Sequence, residues 1–198
     1  MLEDNYKNCP TFYAPSAIAW REWLMQNHAD TPSVFLIIFK KDSGIPSVNC
    51  SDALDEALCF GWIDSKINKR DQQSFYQYFA KRNPKSNWSQ VNKTRIANLE
   101  NQGKLHPSGL ESIQLAKKNG TWEALNEVDQ AIIPEDMLVV MQAYPNSKRN
   151  FDNFAYSIRR GTLEWIFNAK RPETRLQRIT ETVVRAANNE KPSIFRNT

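Results

Sequence analysis

Short, continuous apolar runs dominate the first third of the chain, and apolar residues returning every three or four positions dominate the rest. Ala17, Trp20 and Leu24 form one such stripe behind Pro15-Ser16, which predicts a helix capped by Ser16 and running to about His28. Asp30-Thr31-Pro32 breaks it. Val34 to Phe39 is uninterrupted, β-branched and aromatic, and it runs into Lys40-Lys41-Asp42-Ser43-Gly44, as a buried strand followed by a turn does. After Pro46 a short helix is predicted, capped by Ser51 or Asp52, with Ala53, Ala57 and Leu58 facing inward and Gly61 as its stop. From Trp62 to Asn68 the pattern alternates, with Ile63 and Ile67 on one face and Trp62, Asp64 and Lys66 on the other. Phe75 to Phe79 is a second strand, and the polar residues 69–73 between them suit an antiparallel hairpin.

Beyond Pro84 the period is helical. Residues 89–102 carry Val91, Ile96 and Leu99 and meet Gly103, while Ser108-Gly-Leu-Glu111 reads as a capping box opening a helix that Gly120 closes. Pro134 starts another helix, with Glu135 and Asp136 complementing its dipole and Met137, Leu138 and Met141 as its buried set. Residues 156–170 and 172–188 read as a helical pair, the second with Leu176, Ile179, Val183 and Ala186 on its apolar face. The expected fold is α+β: a small antiparallel sheet of about three strands in the N-terminal part, residues 1–133, and a helical C-terminal part, residues 134–188, packed against it as one compact unit. Residues 189–198 are expected to fray.

Composition narrows the class. Apolar residues make up 40% and charged residues 24% of the 198 positions, which excludes a disordered or collagen-like chain. No apolar run approaches the ~20 residues that cross a bilayer. Met1-Leu2-Glu3-Asp4 opens acidic, without the basic and apolar regions of an export signal, so a cytoplasmic location is expected. Cys9, Cys50 and Cys59 show no CxxC spacing and read as reduced, buried small hydrophobes. The net charge of +4 is uneven, since residues 145–198 hold eleven Lys/Arg against five Asp/Glu. Arg171, Arg175 and Arg178, with Arg185, fall on one flank of the last helix and form a candidate anion-binding stripe, which admits nucleic acid as a partner. Phe151, Phe154, Tyr156, Trp165 and Phe167 interleave with that basic segment at spacings that suit core packing.

Most catalytic constellations are missing. His28 and His106 are the only histidines, they lie in separate segments, and each reads as a surface residue. Without His-x3-His or Cys-x2-Cys spacing no metal is expected, and without GxGxxG or a P-loop no nucleotide cofactor is expected. Asp52 and Glu56 stand one helical turn apart and read as a solvated face. Two segments, Cys59-Phe-Gly-Trp-Ile-Asp64 and residues 81–92, place polar groups among tryptophans. Trp62, Asp64, Arg82, Ser86, Trp88 and Asn92 are therefore the candidate lining of a polar pocket for a small or anionic ligand, with Arg82 as the cation answering Asp64 and Ser86 or Ser89 capping the next helix. An enzyme using Asp64 as acid or base and Arg82 to stabilise an anion is the alternative, and the lack of an activated nucleophile weighs against it.

Ala57-Leu-Cys-Phe-Gly-Trp-Ile-Asp-Ser65, Ser86-Asn-Trp-Ser-Gln-Val-Asn92, Gly109-Leu with Ala116-Lys117, Gly120-Thr-Trp122, Pro134-Glu-Asp136 and Ala169-Lys-Arg-Pro-Glu-Thr-Arg175 follow one another in this order. That succession, from about Phe12 to Val184, resembles the YdeI/OmpD-associated (OmdA-type) bacteriocin-protection family. Ala80-Lys81-Arg82 departs from the Thr/Ser-Pro-Arg common in relatives; the arginine is kept and the backbone restriction of proline is lost. The resemblance implies a link to resistance against bacteriocins or cationic antimicrobial peptides, with no established reaction or cofactor, and the expected function is that of a non-enzymatic cytoplasmic binding or stress-protection protein. Some members are described as envelope-linked, a setting this chain shows no export signal for.

Overall fold

Strand β3 (Ser33–Phe39) takes the middle of a five-stranded sheet, because a continuous apolar run has two faces to bury. The structure, a computed structural model, describes residues 5–195. The sheet order is β1 (Asn5–Tyr6), β2 (Cys9–Tyr13), β3, β5 (Ser74–Lys81), β4 (Trp62–Lys69). Strands β4 and β5 form the expected antiparallel hairpin and β5 also pairs antiparallel with β3. Strand β2 runs parallel to β3, with Thr11 opposite Phe35 and Tyr13 opposite Ile37. Parallel neighbours need a crossover, which α1 (Ala17–Asn27) supplies. The class is α+β, and the sheet is mixed, with two strands beyond the three expected. Pro10 within β2 and the two-residue length of β1 hide both from an alternation pattern.

One sheet face carries Val34, Leu36, Ile38, Trp62 and Phe79. It packs with Trp20 and Leu24 of α1, Ala57 and Leu58 of α2 (Cys50–Cys59), Ile96 and Leu99 of α3 (Gln90–Asn101) and Ile113 and Ala116 of α4 (Pro107–Lys118). The other face buries Cys9, Phe35, Ile37 and Tyr76, with Tyr6 stacked on Tyr76 at 4.2 Å. Several local expectations change. The cap of α2 is Asn49, whose Oδ1 accepts from the Asp52 amide at 2.9 Å, and that of α4 is His106, with Pro107 at the first helical position ahead of Ser108. Trp62 lies on the face of Phe79 and enters the core, and beyond it, between Asp64 and Ile67, the β4–β5 register slips and Ile67 is 59% exposed. In α3 it is Lys93, not Val91, that is buried, its ammonium over the Trp122 ring. Cys50 is exposed, while Cys9 and Cys59 are buried as expected, and all three are free thiols.

The chain divides into two compact units, one ending at Glu123 and the other beginning at Ala124. The second holds α5 (Asn126–Asp129), α6 (Glu135–Gln142), α7 (Ser147–Asn153), α8 (Tyr156–Phe167) and α9 (Pro172–Ala187). Met137, Met141, Phe151, Leu163, Ile166, Ile179, Val183 and Ala186 form its core, while Leu176, Tyr156 and Phe167 are exposed. Helices α5 and α7 are too short to show a period. Of the terminal residues expected to fray, Pro192 is buried and Ser193–Phe195 form a 3-10 turn, and residues 196–198 lie outside the described residues. Among the described residues no helix is long and apolar enough to cross a membrane.

Candidate functional site

A cavity of about 450 Å³ opens in the N-terminal unit where the end of α1, the α2–β4 turn, the end of β5 and the first turns of α4 come together. Its walls are fixed by backbone contact. At Gly61 φ is +74°, and a Cβ there would lie 3.0 Å from Ser112 Cβ; a Cβ on Gly109 would lie 2.2 Å from the Cys59 carbonyl oxygen. These two glycines let α4 rest directly on the end of α2. The His106 amide donates to Cys59 O at 3.0 Å, Ser108 Oγ to Phe60 O at 3.1 Å, and the Arg82 amide to Gly61 O at 3.0 Å. The result is an apolar floor of Phe60, Trp62, Trp88, Leu115 and Ala116, bordered by His28, Arg82, Ser108, Glu111 and Ser112.

Arg82 dominates the electrostatics. Its guanidinium carbon sits 3.8 Å from the centre of a Trp88 ring and Nη2 donates to Asn87 O, while Nε is buried without a partner. Among the described residues no carboxylate lies within ion-pair distance of it. Burial alone lowers its pKa to about 10. The neighbouring Lys81 is not a second free cation, since its ammonium donates to Ala29 O.

Beside this cation the two histidines meet. Their ring centres are 4.7 Å apart, and Phe60 stacks on His106 at 4.7 Å with the Arg21 guanidinium over its ring at 5.3 Å. The expectation of two isolated surface histidines is therefore overturned, because α2, the hairpin and α3 fold so as to bring the α1 end and the α4 start together. His28 Nδ1 lies 2.9 Å from Leu24 O, so this nitrogen is the donor. His106 Nδ1 accepts from the Ser108 amide, and burial, with help from His28 and Arg21, lowers its pKa. Ser108 Oγ lies 2.8 Å from His106 Nδ1 and 3.1 Å from Phe60 O, and the same ring nitrogen accepts from the Ser108 amide as the cap of α4.

The expected residues separate into two groups. Trp62, Arg82 and Trp88 line the cavity. Asp64 does not pair with Arg82: it accepts from Gln77 Nε2 at 3.0 Å, and burial raises its pKa against the lowering pull of its backbone amide and of Arg95. Asp64 pairs with Phe79 inside β5, whereas Arg82 follows the strand's end. Ser86 Oγ donates to Asn83 O at 2.7 Å, Ser89 is the cap of α3, and the Asn92 amide donates to it at 3.4 Å. Sequence reasoning missed His28, Phe60, Ser108 and Glu111; Gly61 was the one local signal of the crossing that assembles them.

Elsewhere, Glu56 is no solvated acid: it is 8% exposed and accepts from Arg21 Nη1 at 2.6 Å, and Arg21 also donates to Lys104 O. In the C-terminal unit Arg175 grips Asp136 through Nε at 2.6 Å and Nη2 at 2.9 Å, and Arg178 donates to Trp165 O and covers its ring. Arg171 is exposed at the start of α9. Two of the three expected anion-binding arginines are thus engaged within the protein. Among the described residues no group of three His, Cys, Asp or Glu is placed to hold a metal ion.

Residues 12–112, just over half of the chain, match the family described as a domain of unknown function (DUF8412), and residues 130–189 match the one described as Bacteriocin-protection, YdeI or OmpD-Associated. No curated protein and no solved structure matches the chain. The OmdA-type match covers the Pro134-Glu-Asp136 and Ala169 to Arg175 blocks, whereas the Ala57 to Ser65 and Ser86 to Asn92 blocks fall under the first model. The chain accordingly belongs to the DUF8412 family through residues 12–112 and carries an OmdA-type, YdeI/OmpD-associated domain in residues 130–189.

Proposed function

We propose that the chain is a non-enzymatic cytoplasmic binding protein whose N-terminal cavity takes a small organic anion, with Arg82 as counter-ion and Leu115 as the exposed apolar wall. One observation carries this reading: the half-buried guanidinium of Arg82 lines a cavity and, among the described residues, no carboxylate is within ion-pair distance to neutralise it. A charged donor in such surroundings gains more from an anion than it would in water. Stacking on Trp88 holds the guanidinium in place before a ligand arrives, which reduces the ordering cost of binding.

The test is a ligand-observed NMR comparison of benzoate with benzamide, repeated with Arg82→Met. Benzoate is expected to bind, benzamide at least about tenfold more weakly, and the variant neither, as the loss of one charge-assisted contact requires. Equal binding of acid and amide sinks the reading. Protection against bacteriocins or cationic peptides, named in the description of the C-terminal match, is the setting we propose for this binding. Cells lacking the protein should become more sensitive to such peptides and be rescued by wild type but not by Arg82→Met; full rescue by the variant would separate the cavity from that role.

A further inference from the structure

In the C-terminal unit the chain docks its own last segment against two helices. Asn189, at φ +56°, turns the chain back beyond the end of α9. Residues 190–195 then return along that helix, held by side chains one turn apart. Arg185 pairs with Glu190 at 3.0 Å and donates through Nε to Lys191 O, and Glu181 Oε1 accepts from the Ser193 amide at 3.0 Å. Phe195 ends the run against Gly161 in the interior of α8, where a Cβ would lie 2.8 Å from the ring's Cζ. Glycine inside a helix is unfavourable relative to alanine, and here it leaves a notch that the aromatic ring enters.

These contacts are those of a bound peptide. The only regular structure in the segment is the single 3-10 turn Ser193–Phe195; Ser193 and Ile194 are exposed and Pro192 is buried. The fit is also incomplete. Glu181 Oε2 is buried without a hydrogen-bond partner, a costly state for a carboxylate oxygen. Leu176 and Val184, one turn to either side of Thr180, stay 58% and 36% exposed. They line a cavity of about 740 Å³ along α9 in which Ser193 forms part of the wall. A peptide that brought a donor to Oε2 and an apolar side chain to Leu176 and Val184 would gain contacts that residues 190–195 do not make.

We propose that α8 and α9 form a docking site for a peptide of a partner protein with an aromatic anchor, and that residues 190–195 close this site in cis. The anchor ring enters the Gly161 notch and a backbone amide meets Glu181, as Phe195 and Ser193 do now. Tethered through Asn188 and Asn189, the chain's own segment competes at an effective concentration on the order of millimolar, so a partner must displace it. The site is independent of the Arg82 cavity.

Fluorescence anisotropy of a labelled synthetic peptide of residues 189–195, titrated with the full chain, tests this. Phe195→Ala, which vacates the notch, is expected to bind the peptide at least about tenfold more tightly than wild type, whose own segment competes. A peptide with its phenylalanine replaced by alanine should not bind. Adding Gly161→Ala to the Phe195→Ala chain should abolish binding, since the methyl takes the place of the ring while alanine favours the helix. Failure of the Phe195→Ala chain to bind the peptide, or binding that survives Gly161→Ala, overturns the proposal. A Phe195→Ala chain that circular dichroism shows to be unfolded overturns it as well, because the segment is then an integral part of the fold.

Discussion

Arg82 and Trp88 form a cation–π pair, with 3.8 Å between the guanidinium carbon and the ring centre, at a place where other arginines of this chain hold a carboxylate. Such a contact is worth about 0.5–2 kcal/mol and offsets part of the hydration that the half-buried guanidinium gives up with no carboxylate beside it.

Replacing Arg82 by methionine keeps the stem and removes the half-buried charge. The variant is expected to be as stable as wild type to within about 1 kcal/mol, or more stable, in urea unfolding. A loss of several kcal/mol would make Arg82 a structural residue.

Asp64 gives a signed pH dependence. Its pKa is raised in the folded state by burial, so its contribution is fully present below the unfolded value near 3.8 and is lost as pH rises through the folded value. Asparagine at this site still accepts from Gln77 Nε2. Asp64→Asn should match wild type in acid and become progressively more stable than it toward neutral pH; urea midpoints measured across that range test this, and a variant less stable than wild type at neutral pH contradicts it.

Two glycines separate contact from backbone strain. Gly109→Ala drives a methyl to 2.2 Å from the Cys59 carbonyl oxygen and is expected to cost more than about 3 kcal/mol, with loss of the cavity wall. Gly120 has φ +80° and nothing within 4 Å, so Gly120→Ala meets only the left-handed penalty of about 1–2 kcal/mol. Thermal melts of the pair should rank in that order.

Glu56 is the one acid of α2 that the fold buries, and Arg21 answers it from α1. Glu56→Ala leaves that guanidinium without its partner and is expected to cost about 2–4 kcal/mol, less than a fully buried pair because Arg21 remains partly exposed. Asp52→Ala, on the same helix and exposed, should cost under about 1 kcal/mol. Equal effects in chemical denaturation would mean that the Arg21 contact contributes nothing.

Periodicity located α1, α2, α3, α4, α6, α8, α9 and the β4–β5 hairpin, because backbone state is encoded locally in the spacing of apolar side chains and in residues such as Ser16, Ser89 and Gly61 that start and stop an element. It also picked out Trp62, Arg82 and Trp88, since charge among indoles is a local anomaly. Tertiary structure alone decided which groups those residues meet. A one-residue slip between Asp64 and Ile67 turns side chains across the sheet, and the position of Asp64 along β4 leaves its carboxylate with Gln77 instead of Arg82. The adjacency of His28 to His106 and the facing of Glu111 toward the Arg82 cavity arise from α4 packing on the end of α2, a long-range contact with no periodic trace in the chain.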